Sequence, residues 1–324
     1  MSGGTGVRRM MASGAVIIVG LVASACSDGG SGAGSKPSGA SAARRPETPK
    51  PAIGSGRIAA GTTGSFEFTG APSLVDRPLR VWYDAPDDLI TAKVLVVMHG
   101  QQRNGEEYRD TWIPYARAQN ALLIVPEFPD DDYPGSNSYN LGNIVDDNGT
   151  PRPEREWSYS VIEPLFDGVR AETGTESEGY YLYGHSAGAQ FVHRFILLEP
   201  TNRVLRAVSA NAGWYTAPEA DVEFPYGLED SPVTDAGLRR SLGAPLVVLL
   251  GEDDVETDTD NLRQTPEAER QGSNRLTRGR FFYEVARKRA AALETPFTWE
   301  IQTVPGAEHS DEEMAPAAAD ALFG

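Results

Sequence analysis

Short runs of consecutive apolar residues alternate along this chain with stretches of helical periodicity. The runs Val94–Met98, Ala121–Val125 and Leu246–Leu250 contain no polar residue, as strands buried on both faces require. Between two of these runs lies Tyr159–Ala171, in which apolar residues recur every three or four positions. This alternation predicts an α/β fold, with a mostly parallel central sheet and helices on both of its faces.

The same patterns give the remaining elements. We predict strands over Leu79–Tyr83, Gly179–Tyr183, Leu205–Ala210 and Phe297–Val304, and helices over Glu106–Gln119, from Ser186 to about Leu198, over Gly279–Leu293 and at the end of the chain. Three longer irregular segments each follow a predicted strand, at residues 126–156, 213–243 and 253–278. Open α/β sheets bind ligands beyond the carboxyl ends of their strands, so these segments are the predicted walls of a cleft.

The first 25 residues have the pattern of an export signal. Arg8 and Arg9 precede the apolar segment Gly14–Ala25, which is shorter than the about 20 residues that a membrane-spanning helix needs. Its end, Ala23-Ser24-Ala25-Cys26, fits ordinary signal cleavage, but it also resembles a bacterial lipobox, except that Ala23 stands where a larger aliphatic residue is usual. Because Cys26 is the only cysteine, we expect a lipoprotein lipidated there, facing outward from the cell membrane. A freely secreted protein is the alternative.

The composition after Cys26 predicts a tether followed by one folded domain. Residues 26–57 are rich in Ser, Gly, Ala and Pro and lack the apolar content needed to form a core. Residues 58–324 are numerous enough to bury a core without disulfides, and we expect this domain to be a monomer. With 46 acidic and 29 basic residues the net charge is −17, which repels phosphate backbones and argues against nucleic acid as a partner.

A Gly-x-Ser-x-Gly motif lies between a predicted strand and a predicted helix. It reads Gly184-His185-Ser186-Ala187-Gly188 and directly follows the strand that ends at Tyr183. This context is typical of a nucleophile elbow, in which a tight turn exposes the serine hydroxyl at the edge of a sheet. Ser186 is therefore the candidate nucleophile, and it needs a base to remove its proton.

The chain has four histidines from which to choose that base. His185 is inside the elbow, His193 is within the following helix, and His99 belongs to a separate loop. His309 lies in the loop directly after the last predicted strand, where hydrolases of this topology carry the general base. We therefore predict that His309 is the base.

An acidic residue must orient the histidine and stabilise its protonated form. The strand that ends at Leu250 runs into Gly251-Glu252-Asp253-Asp254, which offers three adjacent carboxylates. Asp254 is preferred, with Asp253 and then Glu252 as alternatives. The chain order Ser186, Asp254, His309 is the order expected of α/β-hydrolases.

Catalysis at a carbonyl group also requires backbone N–H donors for the oxyanion. Ala187, directly after the nucleophile, is one predicted donor. Gln101, in the loop after the strand Val94–Met98, is the other. The neighbouring His99 is expected to support this loop rather than to transfer protons.

Five segments together resemble the bacterial α/β-hydrolases related to polyhydroxybutyrate depolymerases and feruloyl esterases. The resemblance covers about residues 78 to 318, and its segments are Met98-His99-Gly100-Gln101-Gln102-Arg103-Asn104, Glu107-Tyr108-Arg109-Asp110, Tyr139-Asn140-Leu141-Gly142, Ile162-Glu163-Pro164-Leu165-Phe166 and Asn211-Ala212-Gly213-Trp214-Tyr215. It implies a serine esterase that acts on small or polymeric esters without a cofactor or metal, with Trp214 and Tyr215 lining the pocket. A serine peptidase of the prolyl-oligopeptidase type and an inactive hydrolase fold that binds a partner at the cell surface are the alternatives.

Overall fold

The computed structural model describes residues 58–74, 77–146 and 148–324. The predicted signal peptide, Cys26 and the predicted tether lie outside these residues, so what was expected of them remains a prediction. Within the described ranges, no helix is both long enough and apolar enough to cross a bilayer.

One sheet organises the described part of the chain. Its eight strands lie in the order β1-β2-β4-β3-β5-β6-β7-β8. They are β1 Thr63–Phe68, β2 Leu79–Asp84, β3 Lys93–Met98, β4 Ala121–Glu127, β5 Tyr180–His185, β6 Val204–Ala210, β7 Leu246–Gly251 and β8 Glu300–Val304. The β1–β2 and β2–β4 pairs are antiparallel, and the remaining five pairs are parallel. The sheet is mostly parallel, as the sequence predicted.

Helices cover both faces of this sheet. In the described residues they are α1 Gly105–Ala118, α2 Ile162–Thr173, α3 Ala187–Leu198, α4 Asp235–Leu242, α5 Pro266–Gln271, α6 Arg275–Ala292 and α7 Asp311–Phe323. Apolar residues of α1 and α7 pack on one face, and those of α2, α3, α4 and α6 pack on the other. Strand β3 shows why its sequence is continuously apolar: Val94 and Val96 belong to one packed layer, and Leu95 and Val97 belong to the other.

The structure contains three elements that were not predicted from the sequence: β1, α4 and α5. Strand β1 was not predicted. It is an edge strand of six residues, and its side chains alternate between exposed and buried only from Ser65 to Phe68. Helices α4 and α5 lie in segments that were predicted to be irregular. Both are short, and each begins at a threonine whose hydroxyl accepts a backbone N–H, Thr234 for α4 and Thr265 for α5. A threonine is a common N-cap residue, but the stretch of apolar residues at helical spacing after each one was too short to predict a helix.

The parallel strands bring four loops to one edge of the sheet. Met98 of β3 is paired with Gly184 of β5, and Gly251 of β7 is paired with Val304 of β8. Only β6 separates β5 from β7, so β5 and β7 lie about 10 Å apart at the usual strand spacing. Side chains from the loops after β3, β5, β7 and β8 can therefore meet.

Candidate active site

The turn between β5 and α3 holds its serine in a strained backbone conformation. Ser186 has φ of 57° and ψ of −113°, a combination that residues with a side chain rarely adopt. Two glycines permit the turn: a Cβ on Gly184 would collide with the backbone of Gly188, and a Cβ on Gly188 would collide with the carbonyl oxygen of Met98. The geometry is that of a nucleophile elbow.

Ser186, His309 and Asp254 are joined by hydrogen bonds. Ser186 Oγ lies 3.0 Å from His309 Nε2, and His309 Nδ1 lies 2.8 Å from Asp254 Oδ2. Because a carboxylate can only accept, His309 Nδ1 carries the proton and donates it to Asp254. Nε2 is then unprotonated and faces the serine hydroxyl, so the imidazole can accept the proton of Ser186.

Only one of the three candidate carboxylates reaches the histidine. Asp254 is 2% exposed, whereas the neighbouring Glu252 and Asp253 are exposed. The second oxygen of Asp254 accepts from Arg275 Nη1 at 3.2 Å, and both side chains of this ion pair are 1% exposed. Sequence reasoning missed Arg275, which begins α6 and also donates to Asn261 Oδ1 at 2.9 Å.

The loops that carry Asp254 and His309 are tied together through the end of β6. The Asn211 side chain accepts from the N–H of Gly251 at 2.8 Å and donates to the carbonyl oxygen of Glu308 at 3.0 Å. In addition, the N–H of Asp253 donates to the carbonyl oxygen of Ala307 at 3.0 Å. These contacts fix the distance between the carboxylate and the imidazole.

The two predicted oxyanion donors lie in the turns after β5 and β3, and Gln101 lines the same cavity as Ser186. Ala187 is the first residue of α3, so its N–H has no acceptor within the helix. Gln101 lies in the turn after β3. The buried side chain of His99, two residues earlier, holds this turn in place. His99 Nε2 accepts from the N–H of Phe128 at 3.0 Å, and burial lowers the pKa of His99 to about 3. His99 is therefore a neutral support of the loop, as expected.

Two cavities open on either side of this loop and share Gln101 and Gln102 in their walls. The first, called here the His309 cavity, has a volume of about 450 Å³, and Ser186 and His309 are among the residues that line it. The second, called the Ala187 cavity, has a volume of about 690 Å³, and Ala187 is among its lining residues. Ser186 and His309 therefore face the His309 cavity, and Gln101 and Gln102 connect its wall to that of the Ala187 cavity.

Carboxylates dominate the charge of both cavities. The His309 cavity is lined by the carboxylates of Glu107 and Glu312 and by Asp311, whose pKa is raised to about 7 by burial, and its described lining residues include no lysine or arginine. The Ala187 cavity is lined by Asp130 and Asp131 with one cation, Arg103. Arg103 forms an ion pair with Asp130 at 3.5 Å and also donates to the carbonyl oxygens of Phe128 and Gly135, so two carboxylates and one guanidinium leave this wall with a net charge of −1. The cleft is therefore electronegative on both sides.

Asp311 was not singled out from the sequence. It begins α7, two residues after His309, and its Oδ1 accepts from the Tyr183 hydroxyl at 2.7 Å. Burial raises the pKa of Asp311 to about 7, although the hydrogen bond from Tyr183 opposes the shift. In the sequence, the only indication of a role for Asp311 was its position two residues after the candidate base His309.

The prediction that Trp214 and Tyr215 line the pocket is wrong for Tyr215. Its side chain is fully buried and stacks on Phe282 of α6 at a ring distance of 4.5 Å. Trp214 is 4% exposed and packs against Tyr226 at 4.7 Å. Neither residue lines the His309 or Ala187 cavity. An aromatic pair after a strand can face a core or a cleft, and here α5 and α6 cover it.

Two further histidines are buried. His193 lies within α3, donates from Nδ1 to the carbonyl oxygen of Ala189 at 3.0 Å and accepts at Nε2 from the N–H of Thr216 at 3.1 Å. His185 is 4% exposed and lines the His309 cavity. Its ring centroid lies 4.7 Å from that of His309, and burial lowers its pKa well below the usual value. Both rings are neutral, and neither contacts the serine hydroxyl.

Two solved structures with the same fold have substantial sequence identity to this chain. Poly(aspartic acid) hydrolase-1 from Sphingomonas sp. KT-1 is 46% identical with a TM-score of 0.80, and the match covers 82% of this chain and 100% of that one. LpqC, a poly(3-hydroxybutyrate) depolymerase from Bordetella parapertussis, is 36% identical with a TM-score of 0.77, and the match covers 81% of this chain and 89% of that one.

A more distant structure is similar in fold alone. It is an S-formylglutathione hydrolase from Agrobacterium tumefaciens, 16% identical with a TM-score of 0.51, and the match covers 84% of this chain and 100% of that one. No protein-family model matches this chain, and no curated protein does. The structural similarities confirm the predicted α/β-hydrolase fold.

Proposed function

The chain belongs to the α/β-hydrolases, the family of the two similar hydrolases above, and on that premise we propose that it cleaves carboxylic esters through an acyl-enzyme on Ser186. The observation that carries the proposal is the 3.0 Å contact between Ser186 Oγ and His309 Nε2. A serine hydroxyl becomes a nucleophile when a base within hydrogen-bond reach can take its proton.

In the acylation step, Ser186 Oγ bonds to the ester carbonyl carbon while its proton moves to His309 Nε2. The carbonyl oxygen becomes an oxyanion, which accepts hydrogen bonds from the N–H groups of Ala187 and Gln101. The bond between carbon and the alcohol oxygen then breaks, and the proton on His309 passes to that oxygen. The alcohol leaves, and the acyl group remains on Ser186.

Deacylation repeats these steps with water as the nucleophile. His309 takes a proton from water, the hydroxide oxygen bonds to the acyl carbon, and Ser186 Oγ leaves with the proton returned by His309. Throughout, Asp254 keeps the Nδ1 proton of His309 in place and stabilises the imidazolium. Arg275 fixes the orientation of Asp254 from the opposite side.

The charge of the cleft favours neutral esters over anionic ones. Two unit charges about 10 Å apart in water repel by about 0.4 kcal/mol, so several wall carboxylates together oppose an anionic substrate by roughly 1–2 kcal/mol. The polymers that name the two similar hydrolases differ in this respect, because poly(3-hydroxybutyrate) is a neutral polyester and poly(aspartic acid) is a polyanion. We propose that this chain acts on neutral esters, oligomers of 3-hydroxybutyrate among them.

A matched pair of substrates tests the proposal. We expect kcat/KM for p-nitrophenyl butyrate to exceed that for p-nitrophenyl hemisuccinate, which adds one carboxylate, by about tenfold at low ionic strength. Added salt should narrow the ratio, because it screens exposed charges. 3-Hydroxybutyrate oligomers, which are neutral polyesters, should also be hydrolysed. A preference for the anionic substrates would contradict the charge argument, and hydrolysis of a peptide p-nitroanilide without ester hydrolysis would favour the peptidase alternative.

We propose in addition that the protein is exported and anchored by a lipid on Cys26. Cells that produce the full chain should hold it in the membrane fraction, and the Cys26→Ser variant should appear in the soluble extracellular fraction with the same specific activity on p-nitrophenyl butyrate. Partition of the wild-type protein into the aqueous phase of a detergent extraction would contradict lipidation and favour free secretion.

A further inference from the structure

A buried tyrosine and a buried histidine form a polar pair in the wall of the His309 cavity. Tyr108 lies in the first turns of α1 and is 7% exposed, and its Oη lies 3.2 Å from Nδ1 of His185. Both side chains line the cavity together with Ser186 and His309. The proposed reaction gives neither of them a role so far.

The hydrogen bonding of this pair determines where the phenol proton points. His185 is neutral, so only one ring nitrogen carries a proton, and its Nε2 is buried without a hydrogen-bond partner. If Nε2 carried the proton, the pair would contain an orphaned buried N–H donor. A buried N–H group without an acceptor is rarer in proteins than a buried acceptor without a donor. The favoured arrangement therefore has Nδ1–H of His185 donating to Tyr108 Oη, which leaves the tyrosine O–H free to donate into the cavity.

The phenol oxygen also borders the reacting centre. A Cβ placed on Gly100 would lie 2.8 Å from Tyr108 Oη and 4.0 Å from Ser186 Cβ. The tyrosine hydroxyl and the nucleophile thus approach the same point beside the oxyanion loop. The position of α1 is rigid, because Trp112 is fully buried and its ring lies 4.3 Å from that of Tyr183 on β5.

The two cavities indicate which part of the substrate meets Tyr108. Ala187, whose amide is a predicted oxyanion donor, is among the residues that line the Ala187 cavity. His309, which must pass its proton to the departing alcohol, lines the other cavity. The alcohol oxygen must therefore be within reach of His309, on the side where Tyr108 and His185 lie.

We propose that the Tyr108 hydroxyl donates a hydrogen bond to the alcohol oxygen of the ester as that oxygen departs, with His185 orienting the hydroxyl. This inference rests on the proposed ester hydrolysis. The bond between the carbonyl carbon and the alcohol oxygen breaks, the electron pair stays on that oxygen, and His309 delivers the proton. Tyr108 keeps its own proton and stabilises the negative charge while it develops.

The electrostatics of Tyr108 suit a donor that does not ionise. Burial raises the pKa of its phenol well above the usual value, and the charge of Asp311 raises it further. The phenol therefore keeps its proton at neutral pH. Its hydrogen bond strengthens as charge builds on the departing oxygen, which lowers the barrier to acylation.

A series of butyrate esters tests this role in the Tyr108→Phe variant. The acyl group stays constant while the alcohol changes from p-nitrophenol through phenol and trifluoroethanol to ethanol, and kcat/KM reports acylation for each. A p-nitrophenolate ion leaves with little assistance, so its ester should lose less than about threefold in the variant. Ethyl butyrate should lose about 100-fold, the usual effect of removing one donor to a developing negative charge.

The control is Tyr115→Phe, a matched change on α1 at a residue outside both cavities, which should leave the whole series unchanged. Activity of Tyr108→Phe on p-nitrophenyl butyrate also shows that the variant is folded. An equal loss for every alcohol would overturn the inference and assign Tyr108 to support of the Gly100 loop; no loss for ethyl butyrate would also overturn it. If wild-type protein hydrolyses none of the esters, the proposed function has failed and not this inference alone.

Discussion

Replacing Ser186 by alanine is expected to reduce kcat for p-nitrophenyl butyrate by on the order of 10⁶-fold. The change removes the atom that forms the acyl-enzyme and leaves the rest of the site in place. Substrate binding should persist, because the two cavities and the predicted oxyanion donors do not depend on the hydroxyl. Steady-state kinetics on purified protein measure the loss, and an unchanged melting temperature shows that the variant folds. Retention of more than a few per cent of the activity would assign the nucleophile to another residue.

Replacing Asp254 by asparagine is expected to reduce kcat by about 10⁴-fold. The amide can donate to His309 Nδ1, which favours the tautomer with its proton on Nε2 and so prevents the ring from accepting the proton of Ser186. The contact of 2.8 Å between Asp254 Oδ2 and His309 Nδ1 is the geometric basis of this expectation.

Asp253→Asn is the matched control, because it makes the same chemical change one residue away. Asp253 is exposed, and its described contact in the His309 loop is made by its backbone N–H. We therefore expect less than a threefold change in kcat. A larger loss from Asp253→Asn than from Asp254→Asn would reverse the assignment of the acidic residue.

The sequence was informative about this site because each candidate residue lies within five residues of the end of a strand. Short apolar runs locate the strands of a parallel sheet, and the loops after such strands meet at one edge. Ser186, Asp254 and His309 could therefore be named from local pattern and chain order, and the structure brings all three together. The choice between Asp253 and Asp254 also followed from position, and burial in the folded chain now supports it.

Long-range packing accounts for what the sequence did not reveal. Arg275 contacts Asp254 from a helix that was predicted to begin later, at Gly279, so no local pattern linked the two residues. Tyr215 was expected in the cleft, but whether an aromatic residue faces solvent depends on what covers it, which here is α6. The pairing of Tyr108 with His185 joins the start of α1 to the end of β5, and only the folded chain shows it.

Labelling with a fluorophosphonate probe tests the central claim most directly, because this reagent bonds covalently to a serine that a neighbouring base has activated. Intact-protein mass spectrometry followed by peptide mapping should find one adduct, on Ser186, in the wild-type protein and in Asp253→Asn. The Ser186→Ala variant should acquire none, and Asp254→Asn should react far more slowly. An unlabelled wild-type protein, or an adduct on another serine that accompanies ester hydrolysis, would contradict the assignment of Ser186 as the nucleophile.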